Sequence, residues 1–319
     1  MAAISPRPRK TPAMKRIGII TRTVDRPILL ERTLRSLTAQ TCQDWEWIIV
    51  TPNPAPVQLL LDAYAAALAG RARVLTYHQP MPGMRGSPLN HAIAHSTTEF
   101  LIVLDDDDTW HPECLAALSS LLASPTGQLS GGAVCQTLVI EETSVADGLV
   151  PIRDYPLNPT LRSLTLAHIA IVNPFCIHAF LYRRSSLTLT GLYPEDYPVL
   201  EDWHFNLRFL RHHDIVVLPR ILTYYHQRPG TCAGPEANSL HAEVDLHKFH
   251  EARLINQQIR EDLAAALTGP GALLAAGAHV RLMQDQIHHL ESKIKTISEK
   301  TGKIDARTKE LKQALPRSR

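Results

Sequence analysis

Apolar and polar positions along the first 125 residues follow two rhythms. Short runs rich in Ile, Val and Leu recur at Arg16 to Thr21, Trp45 to Val50, Arg73 to Tyr77 and Phe100 to Leu104. Between them lie segments in which apolar residues return every three or four positions, as Leu30, Leu34 and Leu37 do within 28–40, and again over 57–68 and 90–96. The first rhythm predicts strands and the second predicts helices with one face in a core. Strands alternating with helices at this pace predict parallel βαβ units and an α/β fold. Phe100 to Leu104 has no polar position at all, as expected of a strand buried on both faces.

Beyond residue 130 the pattern changes. A strand is predicted over 132–140, a loop-like stretch over 143–160, a strand over 177–183, and a short helix from Ser185 to Thr190 that Gly191 ends. Residues 201–210 read as an amphipathic helix opening on Glu201 and Asp202, two acids where a helix N-terminus favours negative charge. Short strands follow at 215–218 and 221–225, then the turn His226-Gln227-Arg228-Pro229-Gly230. A helix is expected over 240–267, broken by Gly269-Pro270-Gly271. From there Val280, Met283, Ile287, Leu290, Ile294, Ile297, Thr301, Ile304, Thr308, Leu311 and Leu315 alternate steps of three and four. That is the apolar seam of a coiled coil, weakened by two Thr and by Gly302. One amphipathic helix docked on the body is the competing reading. The organisation expected is a disordered basic lead (1–14), a folded body (15–268, helical from 240), a linker (269–279) and a coiled coil (280–315).

The chemistry gathers where the fourth apolar run ends. Asp105, Asp106, Asp107 and Asp108 follow Leu104 directly, and Pro112 suits the first turn of the next helix. Open α/β sheets bind ligands at the carboxyl ends of their strands. Adjacent carboxylates repel, and a hard divalent cation that prefers carboxylate and phosphate oxygens would neutralise them. A solvated acidic turn is the plainer alternative. Charge distribution narrows the partners. The chain carries +2 overall, but residues 1–16 carry +5 and 281–319 carry +5, which leaves an acidic body at −8. An acidic body argues against nucleic acid as a partner. The basic ends suit anionic lipid or plain solvation. The five cysteines have no paired spacing, which predicts reduced thiols and a cytoplasmic protein. No secretory leader is expected, and the most apolar stretch, Leu164 to Tyr182, holds His168, Asn173, Pro174 and His178 and is too polar to span a bilayer. There is no Gly-Lys-Ser/Thr phosphate loop, no Gly-x-Gly-x-x-Gly and no His-Glu-x-x-His.

Three blocks in order, IITRTVDRP…LLERTLRSLTAQT…DWEWIIV, NHAIAHSTTEFLIVLDDDDTWHPECL and FLYRRSSLTLTGLYPEDYPVLEDWHFNLRFL, give about residues 15–230 a resemblance to inverting glycosyltransferases of the family 2 type. The resemblance implies a GT-A fold: a mixed, mainly parallel central sheet flanked by helices, here with a helical or coiled-coil tail outside the match. It implies sugar transfer from a nucleotide-diphospho-sugar to a hydroxyl of a glycan or glycoconjugate, with Mg²⁺ or Mn²⁺. Asp105-Asp106-Asp107 resembles the family's Asp-x-Asp motif. Asp105 would then meet the ribose or the metal's waters, Asp107 would ligate the cation, and Asp106 and Asp108 would support them, unless Asp108 caps the turn. Asp202, second of the Glu201-Asp202 pair, would be the general base. Thr21 and Thr23 match the nucleotide-contacting loop, and Arg85, His226 and Arg228 are candidate diphosphate contacts, with His226 also a candidate third metal ligand.

Two departures stand out. Where many members have an acidic turn that binds the base of the nucleotide, this chain has Thr51-Pro52-Asn53-Pro54, so Asn53 would substitute through its amide. Where Arg-Asn is common before the helix that precedes the Asp-x-Asp strand, it has Leu89-Asn90, so the arginine is missing or replaced by Arg85. The expected partners are the nucleotide sugar, a cell-surface glycan acceptor and further copies of the chain through 280–315, with peripheral contact at the inner face of a membrane. A sugar-phosphate nucleotidylyltransferase and a non-catalytic assembly protein keeping the fold are the rival readings.

Overall fold

The computed structural model describes residues 16–303 and 307, except 25, 79–82, 146–147, 232–233, 235, 265–275 and, within the tail, 278, 279, 282, 285, 286, 288, 289 and 304–306. The expected basic lead, most of the expected linker and the seam beyond Thr301 lie outside the described residues. The strands are β1 (Ile17–Arg22), β2 (Trp45–Thr51), β3 (Ala72–Thr76), β4 (Phe100–Val103), β5 (Thr109–Trp110), β6 (Gly132–Val145), β7 (Gly148–Pro156), β8 (Phe180–Arg183) and β9 (Ile215–Gln227). The helices are α1 (Pro27–Thr38), α2 (Pro54–Ala63), α3 (Ala65–Leu68), α4 (Gly86–Ala94), α5 (Cys114–Ala123), α6 (Pro125–Gln128), α7 (Leu166–Ile171), α8 (Leu187–Thr190), α9 (Glu201–Leu210), α10 (Ser239–Ala242) and α11 (Val244–Ala264).

One sheet runs in the order β3-β2-β1-β4-β8-β6-β9-β5, with β7 added on β6. β3, β2, β1 and β4 are parallel, as the βαβ rhythm predicts. β8 then enters antiparallel to β4, and β6 antiparallel to β8. The sheet's parallel order therefore ends beside β4, at whose carboxyl end the acidic run sits.

Alternation within the strands builds two cores, one on each face. Ile17, Ile19, Trp47, Ile49, Phe100 and Ile102 pack with α1 and α5 through Leu30, Leu34, Leu115 and Leu118. Ile20, Ile48, Val50, Leu101 and Val103 face the other way, onto Leu89 and Ile93 of α4 and onto Trp203, Phe205 and Phe209 of α9. β4 is buried at every position, so burial on both faces is confirmed. A strand so enclosed cannot slip its register without turning apolar residues into solvent. This fixes where Asp105 begins.

Three elements depart from the sequence reading. Residues 143–160, expected as a loop, contain the edge strand β7; its Pro151 and Pro156 are tolerated because β7 pairs with β6 alone. The two short strands after residue 214 are one strand, β9, whose register against β6 shifts at Cys135–Thr137. The helix after Pro112 begins at Cys114, and the two-residue strand β5 before it pairs with β9. In the tail, 290–303 is helical. The seam positions Val280, Met283, Ile287, Leu290, Ile294 and Ile297 are exposed.

Candidate active site

Helix α1 grips the backbone of the acidic turn. The Leu104 N–H still donates to Ile20 across the sheet at 2.8 Å, and the chain then turns, with the Asp108 N–H 3.3 Å from the Asp105 carbonyl. The Thr33 hydroxyl lies 3.0 and 2.9 Å from the carbonyls of Asp106 and Asp108, and Arg32 donates to the Asp107 carbonyl at 2.7 Å. With its main chain held from below, the turn sends its four carboxylates to four sets of partners.

Asp105 lies 3.4 Å from Arg22. Asp106 accepts from the Thr23 hydroxyl at 2.6 Å and from Arg26 at 2.7 Å. Asp107 accepts from Arg26 at 2.7 Å, from Asn238 at 3.2 Å and from Arg228. Asp108 accepts the His226 backbone N–H at 2.9 Å and sits 2.9 Å from Nδ1 of His178. These surroundings separate the acidities. Burial pushes Asp106 up to about 7, only partly offset by Arg26. Burial would raise Asp107 too, but Arg26 and Arg228 together hold it below the usual carboxylate value. Asp105 is raised by burial against the pull of Arg22. Burial alone would lower His178, and the Asp108 carboxylate overrides it and raises the imidazole instead.

The acid pair stands at the start of α9. Leu200 just before it has φ +64°, in the left-handed region where a side chain other than glycine is strained. Glu201, nearly sealed from solvent, pairs with Arg22 at 2.7 Å. Arg22 also reaches Asp105 and donates to the Arg85 carbonyl at 2.9 Å. One guanidinium thus ties the acidic turn, the start of α9 and the loop before α4 together. Beside it, Asp202 accepts from Nδ2 of Asn173 at 2.8 Å, and Asn173 accepts in turn from Asn206 at 3.1 Å. Burial, reinforced by the neighbouring Glu201 charge, pushes Asp202 up to about 7.

A cleft of about 580 Å³ opens over the acidic turn. It is lined by Thr23, Arg26 and Asp105 to Asp108, by Val50, Thr51, Pro52, Tyr77 and His78, and by Met84, Arg85, Tyr225 and Asn238. Of the predicted residues, Thr23, Arg85, Asp105, Asp106, Asp107 and Asp108 share this cleft. Asp202 adjoins it through Glu201 and Arg22. Four others stand elsewhere. Thr21 is fully buried, bonding the Leu104 carbonyl at 2.6 Å and taking the Trp47 indole N–H at 2.8 Å, so it braces the strand end. Asn53 lies on a small hollow beside Thr23 and Pro56. Arg228 is completely buried behind Asp107, also facing Glu142 at 3.4 Å. His226 places Nδ1 2.6 Å from Glu142 and Nε2 2.8 Å from Thr109, so both ring nitrogens face protein partners and neither is offered to a cation.

The oxygen donors suit a hard divalent cation. Mg²⁺ takes one or two protein carboxylates and completes its shell with substrate phosphates and water, and Asp105 and Asp107 both reach the cleft. Among the described residues no three His, Cys, Asp or Glu side chains converge as a complete metal cage. Sequence reasoning missed Arg22, Arg26, Arg32, Glu142, Asn173, His178 and Asn238. Arg22 carried a signal, as a charge at the end of an apolar strand. Glu142 and Asn238, far away in the chain, carried none.

The model of the family described as glycosyl transferase family 2 matches residues 19–188. S. aureus TarS 1–349 in complex with UDP-GlcNAc is similar in structure at TM-score 0.51 and 20% identity, over 67% of this chain and 59% of that one. The mannosyltransferase PcManGT from Pyrobaculum calidifontis in complex with GDP-Man and Mn²⁺ is similar at TM-score 0.50 and 19% identity, over 85% of this chain and 81% of that one. This chain therefore spans about three fifths of the TarS fragment that it matches. No curated protein matches it. Among the described residues no helix is long and apolar enough to cross a membrane.

Proposed function

The chain belongs to glycosyl transferase family 2, and on that premise we propose that it is a nucleotide-sugar glycosyltransferase that transfers the sugar with inversion, using Asp202 as base. The observation that carries the reading is Arg22: its guanidinium spans Asp105 and Glu201, so the two acidic groups flank one space. The donor would occupy the cleft, whose lining brings Pro52, Tyr77 and Arg85 together with Asp105 and Asp107. Asp105 and Asp107 are the residues that would hold a divalent cation there, and it would supply Lewis-acid neutralisation of the leaving diphosphate. Thr23 and Arg26 orient Asp106, and Arg26 with Arg228 keeps Asp107 ionised. Asp202 removes the proton from the acceptor hydroxyl. That oxygen bonds to the anomeric carbon as the bond to the diphosphate breaks, and the electron pair departs on the phosphate oxygen. A carboxylate poised at about 7 is matched to this duty at neutral pH. Residues 15–268 form the catalytic unit and 280–315 a self-associating coiled coil. A glycan or glycoconjugate of the cell surface is the acceptor, met at the cytoplasmic face of the membrane, where the basic ends contact anionic lipid. The test is a thermal-shift screen of UDP-, GDP- and dTDP-sugars with Mn²⁺, followed by NMR of the product. An anomeric coupling showing inversion is expected; retained configuration overturns the single displacement.

A further inference from the structure

The helical tail touches the body beside the acid pair. Gly277 approaches the end of α7 so closely that a Cβ there would lie 2.5 Å from the Ala170 carbonyl oxygen. One turn on, Arg281 donates to the carbonyls of Ala170, at 3.2 Å, and Ile171. Its guanidinium pairs with Glu251 at 2.7 Å and lies 5.1 Å from the centre of the Trp203 ring. Ala170 and Ile171 end α7, and the last carbonyls of a helix have no partner within it. A cation at that end is also favoured by the helix dipole. α7 is only six residues long and cannot hold its shape alone. Trp203 secures one more carbonyl, that of Ile169, at 2.6 Å. Two residues past α7 stands Asn173, which donates to Asp202.

We propose that Arg281 is a positioning residue for Asp202: it pins the end of α7, α7 presents Asn173, and the root of the tail is thereby part of the wall behind the base. This rests on the reading of Asp202 as base. The remaining groups around Asp202 are Glu201, Arg22 and Asp105, with the Cys176 thiol and the Tyr193 phenol both pushed up by burial and neutral. None of them is bonded to Arg281. Without the Asn173 amide the carboxylate loses a donor to its charged form, so its pKa rises and less base is present at neutral pH.

The test uses the full chain carrying Arg281→Ala. Turnover at neutral pH is expected to fall roughly tenfold, part of what a positioned base supplies. Donor KM and the Kd of the donor nucleotide with Mn²⁺ should stay within about twofold, and the acid limb of the kcat–pH profile should move upward. Hydrogen exchange over 166–173 should quicken by about tenfold or more. Arg281→Lys keeps a cation at the same carbonyls and should recover part of both effects. Wild-type turnover and pH profile in Arg281→Ala overturn the proposal. So does a loss of donor binding in step with turnover, which would make the tail root mere scaffold. Failure of the base reading is a separate result, full turnover in Asp202→Asn. Unchanged exchange over 166–173 in Arg281→Ala sinks the positioning role by itself.

Discussion

Asp202→Asn should abolish transfer and stabilise the protein, and the two effects share one cause. In the fold the carboxyl is raised from 3.8 to about 7, because burial and the Glu201 charge disfavour its ionised form. Between those values the native state holds a proton that the unfolded chain releases. Asp202 therefore contributes stability that is complete below about pH 4 and is lost as pH rises through about 7. Three pH units at about 1.4 kcal/mol each set an upper bound near ~4 kcal/mol. Asp202 keeps part of its surface in solvent, so about 2 kcal/mol is the working figure. Asn cannot ionise, yet still accepts from Asn173. At about pH 8 the variant should melt roughly 4–8 °C above the parent, and at about pH 4 near it or below. Initial rates should fall by about 10²-fold or more, while calorimetry shows unchanged donor binding. The wild-type acid limb should lie near the Asp202 value. A variant that turns over normally, or one destabilised equally at both pH values, refutes the reasoning.

Arg22→Met strips the partner from Glu201, whose side chain is 3% exposed, and should cost about 3 kcal/mol, seen as a lower urea midpoint. Thr21→Val orphans the Trp47 indole N–H inside the core; a loss of about 1–3 kcal/mol with donor KM unchanged is expected. His226→Asn should leave Mn²⁺ affinity within about twofold in titration calorimetry, because both ring nitrogens already face Glu142 and Thr109. Truncation after residue 284, which spares Arg281, should lower the mass per particle in light scattering; equal masses would remove the coiled coil as the means of assembly.

The parallel half of the fold was legible because its signals are local. Each of β1 to β4 sits on a run rich in Ile, Val and Leu, unbroken in β4, and α1 shows its buried face in Leu30, Leu34 and Leu37. The second half was less legible. β7 carries two prolines and exposes most of its residues, which is how a loop reads, and only its pairing with β6 makes it a strand. The site divided along the same line. Thr23 and the aspartates are close in sequence to the strands that present them. Asn173, His178 and Asn238 arrive from loops and a short 3₁₀ turn whose placement depends on long-range packing. Arg228 was legible as a cation near the site but not as a buried one; its pairing with Asp107 and Glu142 needs β9, β6 and the acidic turn assembled together.

Asp105 to Asp108 show the limit most plainly. Four identical residues in a row carry no internal distinction, and the fold gives each a different task through its neighbours alone. Asp108 is held by His178 and the His226 N–H, and so ties the acidic turn to β9. Asp107 lies between two guanidiniums, which hold it below the usual carboxylate value. Asp106, one residue earlier, has one guanidinium and a hydroxyl, and its carboxyl sits near 7. Asp105 shares Arg22 with Glu201, so its charge is felt at the start of α9 as well as in the cleft. Environments that push like groups apart are what let one protein run acid and base chemistry at a single pH. It follows that the arginines are as much a part of this site as the aspartates. Moving Arg26 or Arg22 would redistribute the acidities of the whole run without altering one residue of it.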